Sequence, residues 1–460
     1  MQLRNPMHAV ETLAGQMAQS ASLHDIRNSI LVNAVEQAVQ TYTANNRASR
    51  ELFERAQNSM PGGNTRSALH FDPFPLYVSD SAGAYIRDVD GHRYLDVLGE
   101  FTAGLYGHRD DRIARAVVKA TERGASNGAP GAAEIELAEL VCERFPAIET
   151  VRFCNSGTEA NLYALTLARI ATGRQKLLCF SGAYHGGVFV FGGGGSVMNV
   201  PFDWTVCRYN DERGAGETID RLGLDLAAVI IEPMMSNGGC IAARPDFLRM
   251  LRERCTAVGA LLIFDEVVTS RMGPGGLQEI HGVLPDLTTL GKYLGAGFSF
   301  GAFGGRARIM DLMNPTRSDA LPHAGTFNNN VYSMSAGAVG LKGVFTKQQS
   351  QTLFDEGENL RDRLNKTANA ISPAVQFTGC GSVMNIHFVR GEISCPEDVA
   401  HESKDLMKLF HFDLLEAGVY AARRGQINLS LPMTLEDHDT IVTAVAGFLQ
   451  RRKPLIDATI

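Results

Sequence analysis

At 460 residues and 45% hydrophobic, the chain is long enough to bury a large core and to divide into more than one domain. Its net charge of −7 gives no electrostatic case for nucleic acid or an anionic membrane surface as partner. Eight scattered cysteines, none in a CxxC pair, read as reduced core thiols, and with no bilayer-length apolar run and no secretory leader the expectation is a soluble cytoplasmic protein.

Residues 1 to about 55 are polar and helix-prone, and predict one or two helices that pack on a partner subunit. Turn chemistry begins at Pro61-Gly62-Gly63-Asn64. Tyr85 to Asp96 predicts a hairpin with Asp90-Gly91 at its turn. From about 110 to 310, apolar runs alternate with helical periodicity. Val151 to Cys154, Lys176 to Phe180, Ala227 to Ile231 and Ala260 to Phe264 are buried-strand candidates, and Leu162, Leu165 and Ala168 mark a helix between two of them. This alternation predicts an α/β layer with a mostly parallel central sheet. The Gly192 to Gly195 run predicts a flexible loop. Beyond 345, two long amphipathic helices and short strands at Ser382 to Phe388 and Gln426 to Leu431 predict a smaller α+β domain. The expected division is 1–105 (helical segment and part of a small domain), 106–344 (large domain) and 345–460 (C-terminal small domain).

Lys292 is preceded by Gly291, and Gly295 and Gly297 follow closely. Upstream, the Ala260 to Phe264 run ends in Asp265-Glu266. A buried lysine after a glycine, with an acid at a strand end, suits pyridoxal phosphate (PLP): the lysine forms an imine with the cofactor and the acid pairs with the pyridinium nitrogen. Asn155-Ser156-Gly157-Thr158-Glu159 follows one strand candidate and opens a helix. Free N–H groups and the helix dipole make such a turn a phosphate cradle, with Ser156 and Thr158 as hydroxyl donors, although an ordinary helix cap has the same pattern. Ser181 to Gly187 follows another strand, where Tyr184 is a candidate to stack on a cofactor ring and His185 is a candidate polar group. Glu232-Pro233 ends a third. Ligands in open α/β sheets bind beyond the carboxyl ends of strands, which places both Glu232 and Asp265 correctly. Val267 is positioned to pack under a ring, and Thr326, in the small-residue loop His323 to Asn330, to donate to a phosphate. No spacing of His and Cys suggests zinc.

Taken together, NSGTEAN, AYHGG, IIEP, FDEVVTS, TTLGKYLGAG and HAGTFNNN resemble the signature set of class III aminotransferases, of PLP fold type I. Within the family, GNTRSALHFDPFP and the FNNN loop resemble the glutamate-1-semialdehyde aminomutases and their aminotransferase relatives, and stretches such as FTAGLYGH, VRFCNSGTEANLYALT and FSGAYHGGV resemble members acting on β-amino acids such as (S)-β-phenylalanine. The resemblance implies that Lys292 carries the cofactor and shuttles a proton, and that Asp265 pairs with the ring nitrogen. It further implies that Tyr184 and Val267 flank the ring, with Glu232 supporting the pocket near Asp265. Ser156, Gly157 and Thr158 are implied to bind the phosphate, with Thr326 implied to be given across a homodimer interface. Arg66 and Arg424 are implied to hold carboxylates of an amino donor and a keto acid acceptor, 2-oxoglutarate or pyruvate, in a ping-pong transamination. A planar guanidinium meets a carboxylate bidentately. Leu69, His70, Phe71 and Phe74 near Arg66 suit an aryl group. The rival readings are an aminomutase, which needs no external keto acid, and a non-catalytic PLP-fold binding protein, which the intact Lys292, Asp265 and phosphate turn argue against.

Overall fold

The computed structural model describes residues 30–460, so the expected N-terminal helices before residue 30 lie outside it. Helix over 30–45 runs into the Arg47–Ala56 helix, whose first turn is held by the Asp90 carboxylate: it accepts from the Ala48 N–H at 2.7 Å and the Ser49 N–H at 3.0 Å. Asp90 itself sits at the turn of the expected hairpin, between β2 (Tyr85–Asp88) and β3 (Arg93–Asp96), with β1 (Val78–Ala82) completing an antiparallel meander.

The large sheet comprises β4 (Thr150–Cys154), β5 (Lys176–Phe180), β6 (Asp203–Cys207) and β7 (Leu226–Ile231). After a short hairpin of β8 (Met234–Met235) and β9 (Ile241–Ala242), it continues with β10 (Leu261–Asp265), β11 (Leu287–Gly291) and β12 (Gly301–Gly305). The spatial order is β4-β12-β11-β10-β7-β5-β6, and β12 alone runs antiparallel to its neighbours. Every residue of β7, β10 and β11 is buried, as expected of strands covered on both faces. Burying each Leu, Ile or Val side chain in them contributes about 1.5–3 kcal/mol before entropy is counted. The Gly157–Thr172 helix returns over the sheet with Leu165 and Ala168 buried against it.

Three of the five residues of β12 are glycine, for a steric reason. A Cβ at Gly301 would stand 2.1 Å from the Ser156 carbonyl oxygen, and one at Gly305 would stand 2.2 Å from that of Asp286. The carboxyl ends of β4, β5, β7, β10 and β11 all leave the same edge of the sheet, which gathers Asn155-Ser156, Ser181, Glu232, Asp265 and Lys292 into one crevice.

A three-stranded sheet of β13 (Gln376–Cys380), β14 (Val383–His387) and β16 (Gln426–Asn428) forms most of the C-terminal layer, while β15 (Val419–Tyr420) joins β3 in the N-terminal sheet. Three helices pack here, Lys347–Ile371, Lys404–Glu416 and Leu435–Thr459, where periodicity led to an expectation of two. The middle one is short and buried from Leu409 to Leu415, so it shows little alternation of polar and apolar faces. The expected loop at Gly192 contains a tight turn, Gly192–Gly194, with Gly193 at φ +60°. Among the described residues no helix is long and apolar enough to cross a membrane.

Candidate active site

Asp265 is the last residue of β10 and is buried. Its Oδ2 accepts from Asn161 Nδ2 at 2.8 Å and lies 2.8 Å from His185 Nδ1. Its Oδ1 accepts from the Val267 N–H at 3.1 Å and the Thr289 hydroxyl at 3.4 Å. Thr289 is the register partner of Asp265 on β11, and its hydroxyl also donates to Asn161 Oδ1 at 2.6 Å. Asn161 in turn donates to the His185 carbonyl at 2.9 Å. Donors on every side fix the direction of the carboxylate. Nearby, Glu232 is buried and accepts from the Tyr184 N–H at 2.9 Å and the Ser236 N–H at 3.3 Å. Burial raises the pKa of its carboxyl, opposed by His185 and reinforced by Asp265.

Ser156 caps the Gly157–Thr172 helix, its Oγ accepting from the Glu159 N–H at 3.1 Å. The cap and cradle readings are therefore compatible: the hydroxyl hydrogen of Ser156 and the first-turn N–H groups of Gly157 and Thr158 remain for an anion at the positive end of the helix. A Cβ at Gly157 would meet both Val267 methyls at 2.9 Å, so glycine brings the backbone against that side chain. Thr158 Oγ1 accepts from the Gly187 N–H at 3.2 Å, and a Cβ at Gly186, which has φ +120°, would lie 2.3 Å from the same oxygen. Tyr184 is 42% exposed and faces the crevice beside Glu232.

Lys292 begins the turn after β11 with φ +54°, an uncommon conformation for a residue with a side chain. Its Nζ donates to the Phe101 carbonyl at 3.0 Å. Burial pulls the amine pKa down to about 8; the Arg424 and Arg66 charges add to the effect and Asp265 opposes it. Both arginines lie over the Phe101 ring, each with its guanidinium carbon 5.4 Å from the centroid. Arg424 is further fixed by Gln426 Oε1, which accepts from its Nε at 3.0 Å and also from Nη2. Arg423 points away, 3.7 Å from Asp72, which identifies Arg424 as the inward-facing member of the pair. Among the described residues neither Arg66 nor Arg424 is in an ion pair with a carboxylate, leaving both guanidiniums free for an acidic ligand.

All but one of the residues expected from sequence meet in this crevice. The exception is Thr326, which is exposed on its loop and joins none of these hydrogen bonds, although Asn328 of that loop accepts from Asn155 Nδ2 at 2.9 Å. Sequence reasoning missed Asn161, Thr289, Gln426 and Phe101. Asn161, Thr289 and Phe101 lie inside the runs NSGTEAN, TTLGKYLGAG and FTAGLYGH, and of the four only Gln426 had no signal.

The donor set fits PLP. A buried carboxylate is aimed out of β10, a helix N-terminus lies among glycines packed too closely for a Cβ, and a lysine amine whose pKa burial lowers follows Gly291, which packs against the Gly157 backbone. Among the described residues no cluster of His, Cys, Asp and Glu could hold a metal ion. The model for "Aminotransferase class-III" matches residues 67–193 and 197–445. The chain is 49% identical to a β-phenylalanine transaminase of Variovorax paradoxus over 416 residues, covering 90% of this chain and 96% of that protein. It is 36% identical to a glutamate-1-semialdehyde 2,1-aminomutase of Akkermansia muciniphila, covering 88% and 99%. The solved β-phenylalanine aminotransferase structure from Variovorax paradoxus superposes with a TM-score of 0.91 at 48% identity, covering 92% of this chain and 98% of that one. The chain belongs to the class III aminotransferases and is a PLP-dependent aminotransferase.

Proposed function

We propose that this aminotransferase takes the amino group of a β-amino acid, with (S)-β-phenylalanine as the type substrate, and passes it to 2-oxoglutarate or pyruvate in two half-reactions. The observation that carries the reading is the pair of unpaired guanidiniums, Arg66 and Arg424, over one aromatic ring beside Lys292. A donor and an acceptor that differ in the distance from carboxylate to nitrogen or carbonyl call for two carboxylate-binding positions around one reacting centre. The 49% identity to a β-phenylalanine transaminase supports the donor class.

In this reading Lys292 holds the cofactor, Asp265 faces its ring nitrogen, Tyr184 and Val267 flank the ring with His185 behind, and Ser156, Gly157 and Thr158 hold its phosphate. When bound, the cofactor supplies an electron sink for the electrons left on the substrate carbon. The chain does the rest. Arg66 and Arg424 orient the acids, and Asp265 keeps the opposite proton on the ring nitrogen. Lys292 Nζ, near neutrality in its proton affinity, removes and returns the substrate proton. Glu232 backs the Tyr184 loop through the backbone. The proposal includes a homodimer in which Thr326 of the partner subunit completes the phosphate site, a cytoplasmic setting, and a large domain at 106–344 flanked by small-domain segments at 1–105 and 345–460.

The test is an absorbance spectrum of the purified enzyme before and after (S)-β-phenylalanine, with no keto acid present. Loss of the visible band of the lysine-held cofactor, and its recovery on adding 2-oxoglutarate or pyruvate, is the expected result. A band unchanged by the β-amino acid overturns the donor assignment. Lys292→Ala protein that turns over at the wild-type rate overturns the role of Lys292. The aminomutase relative at 36% identity keeps one rival in view: an enzyme that isomerises an amino aldehyde without an external keto acid.

A further inference from the structure

Phe101 touches three cationic groups at once. Its carbonyl accepts from Lys292 Nζ at 3.0 Å, and its ring lies under Arg66 and Arg424, each 5.4 Å from the centroid. It does so from a backbone that side chains rarely adopt. Gly99, Glu100, Phe101 and Thr102 all have positive φ, at +51°, +50°, +55° and +79°. Left-handed backbone at a residue with a side chain costs on the order of 1 kcal/mol or more and persists only where its surroundings impose it.

Those surroundings are on both flanks. Asp96 Oδ1 accepts from the Leu98 N–H at 3.0 Å and the Gly99 N–H at 2.9 Å. Asn428 Nδ2 donates to the Leu98 carbonyl at 2.6 Å, and buried Arg271 donates through Nη1 to the Thr102 carbonyl at 3.1 Å. Asn428 also accepts from Gln426 Nε2 at 2.9 Å, and Gln426 is the residue that holds Arg424. The turn that presents Phe101 and the arm that presents Arg424 are thus tied together by Gln426 and Asn428.

We propose that Phe101 is a specificity-determining residue: its ring is a shared platform that positions Arg66 and Arg424 together, so that recognition of donor and acceptor carboxylates depends on one side chain. This rests on the assignment of the two arginines to substrate carboxylates made above. Two guanidiniums over one ring repel each other, and among the described residues neither is in an ion pair with a carboxylate. The negative face of an aromatic ring attracts each of them at this range. Removing that face releases both, and so weakens both acids at once. Arginines that acted independently would not be coupled in this way.

The experiment measures binding of two unreactive acids to the holoenzyme by calorimetry: 3-phenylpropanoate, a β-phenylalanine without its amine, and glutarate, a 2-oxoglutarate without its keto group. Phe101→Leu keeps the carbonyl and removes the ring's negative face. The expected result is weaker binding of both acids, each on the order of tenfold, with the visible band of the lysine-held cofactor retained. Phe101→Tyr restores both affinities. Should Phe101→Leu fail to fold, replacing Phe101 with phenylalanines of increasing fluorination keeps the shape and drains the ring face, and both affinities fall stepwise. A loss confined to one acid, no loss for either, or no trend with fluorination overturns the proposal. Failure of the β-amino-acid reading shows elsewhere, as wild-type enzyme that binds glutarate and ignores 3-phenylpropanoate; the coupling is then read from glutarate and 2-oxoglutarate together with whichever amine-free acid the wild type accepts. Wild type that binds no carboxylate overturns both.

Discussion

His185 Nδ1 lies 2.8 Å from Asp265 Oδ2, with both side chains buried. With Nδ1 donating to the carboxylate, this contact sets the tautomer of His185, and Nε2 has no hydrogen-bond partner among the described residues. The carboxylate is also gripped by Asn161, so its direction is set by the protein's own residues.

That arrangement separates charge from position. Asp265→Asn preserves the shape of the cluster and removes the negative charge. It is expected to lower kcat by on the order of a hundredfold to a thousandfold, a loss typical of a deleted electrostatic partner in a dry site, while Lys292 still captures the cofactor. His185→Ala keeps the charge and removes one of four donors, so the loss is smaller and His185→Asn recovers part of it. Steady-state kinetics with a matched visible spectrum checks both, and an Asp265→Asn enzyme with unimpaired kcat would contradict the role given to the charge.

The Lys292 amine titrates at about 8 in place of the ordinary 10.5. The sign follows from burial, which penalises the ammonium form, and from Arg424 and Arg66, which repel it. In cofactor-free protein, reductive alkylation at Lys292, followed by peptide mapping, is expected to rise through a midpoint near pH 8. Below that the nitrogen carries a third hydrogen and cannot attack. Arg424→Gln removes the larger repulsion and shifts the midpoint upward. A midpoint near 10.5 in the wild type would contradict this account.

Arg271 is fully buried, and burial pulls its pKa down to about 10, so it stays charged at neutral pH. It donates to Ser382 Oγ at 2.9 Å, to the Thr102 carbonyl at 3.1 Å and to the Leu429 carbonyl. These acceptors come from three distant parts of the chain. Arg271→Met fills the space and leaves buried oxygens without donors, at about 1–3 kcal/mol each. The expected outcome is a lower thermal midpoint and a loss of roughly 3 kcal/mol or more of stability. Arg271→Lys recovers only part of it, since one ammonium cannot reach in three directions. Differential scanning calorimetry of the holoenzymes distinguishes these outcomes.

Much of this site was legible in the order of residues because its parts follow strands directly. Asp265 and Glu232 come after runs of buried aliphatics, and Ser156 opens a helix. What was not legible is held together across the fold. Asn161 and Thr289 both grip Asp265, yet stand 104 and 24 residues from it, with no local pattern to join them. Strand β11 was hidden because Thr288 and Thr289 break its apolar run; both are buried, and Thr289 is satisfied by Asn161 and Asp265. Strand β12 was hidden because glycine reads as a turn until a neighbouring strand demands it. Phe101 opens the FTAGLYGH run, but its part in the site comes from a backbone conformation imposed by Asp96 close by and by Arg271 and Asn428, more than a hundred positions away.

The glycines of β12 bear on how readily the enzyme can be retuned. Gly301 fits against the carbonyl of Ser156 with no room for a methyl group, so the strand acts as a mould for the turn proposed to hold the phosphate. Libraries that seek new amine substrates therefore meet two kinds of ground. The exposed segment around Arg66 can accept many side chains at little cost to the scaffold. A single added carbon at Gly301 would push from beneath on the turn proposed as the cofactor's anchor, and in that reading every variant carrying it loses the old substrate and the new one alike.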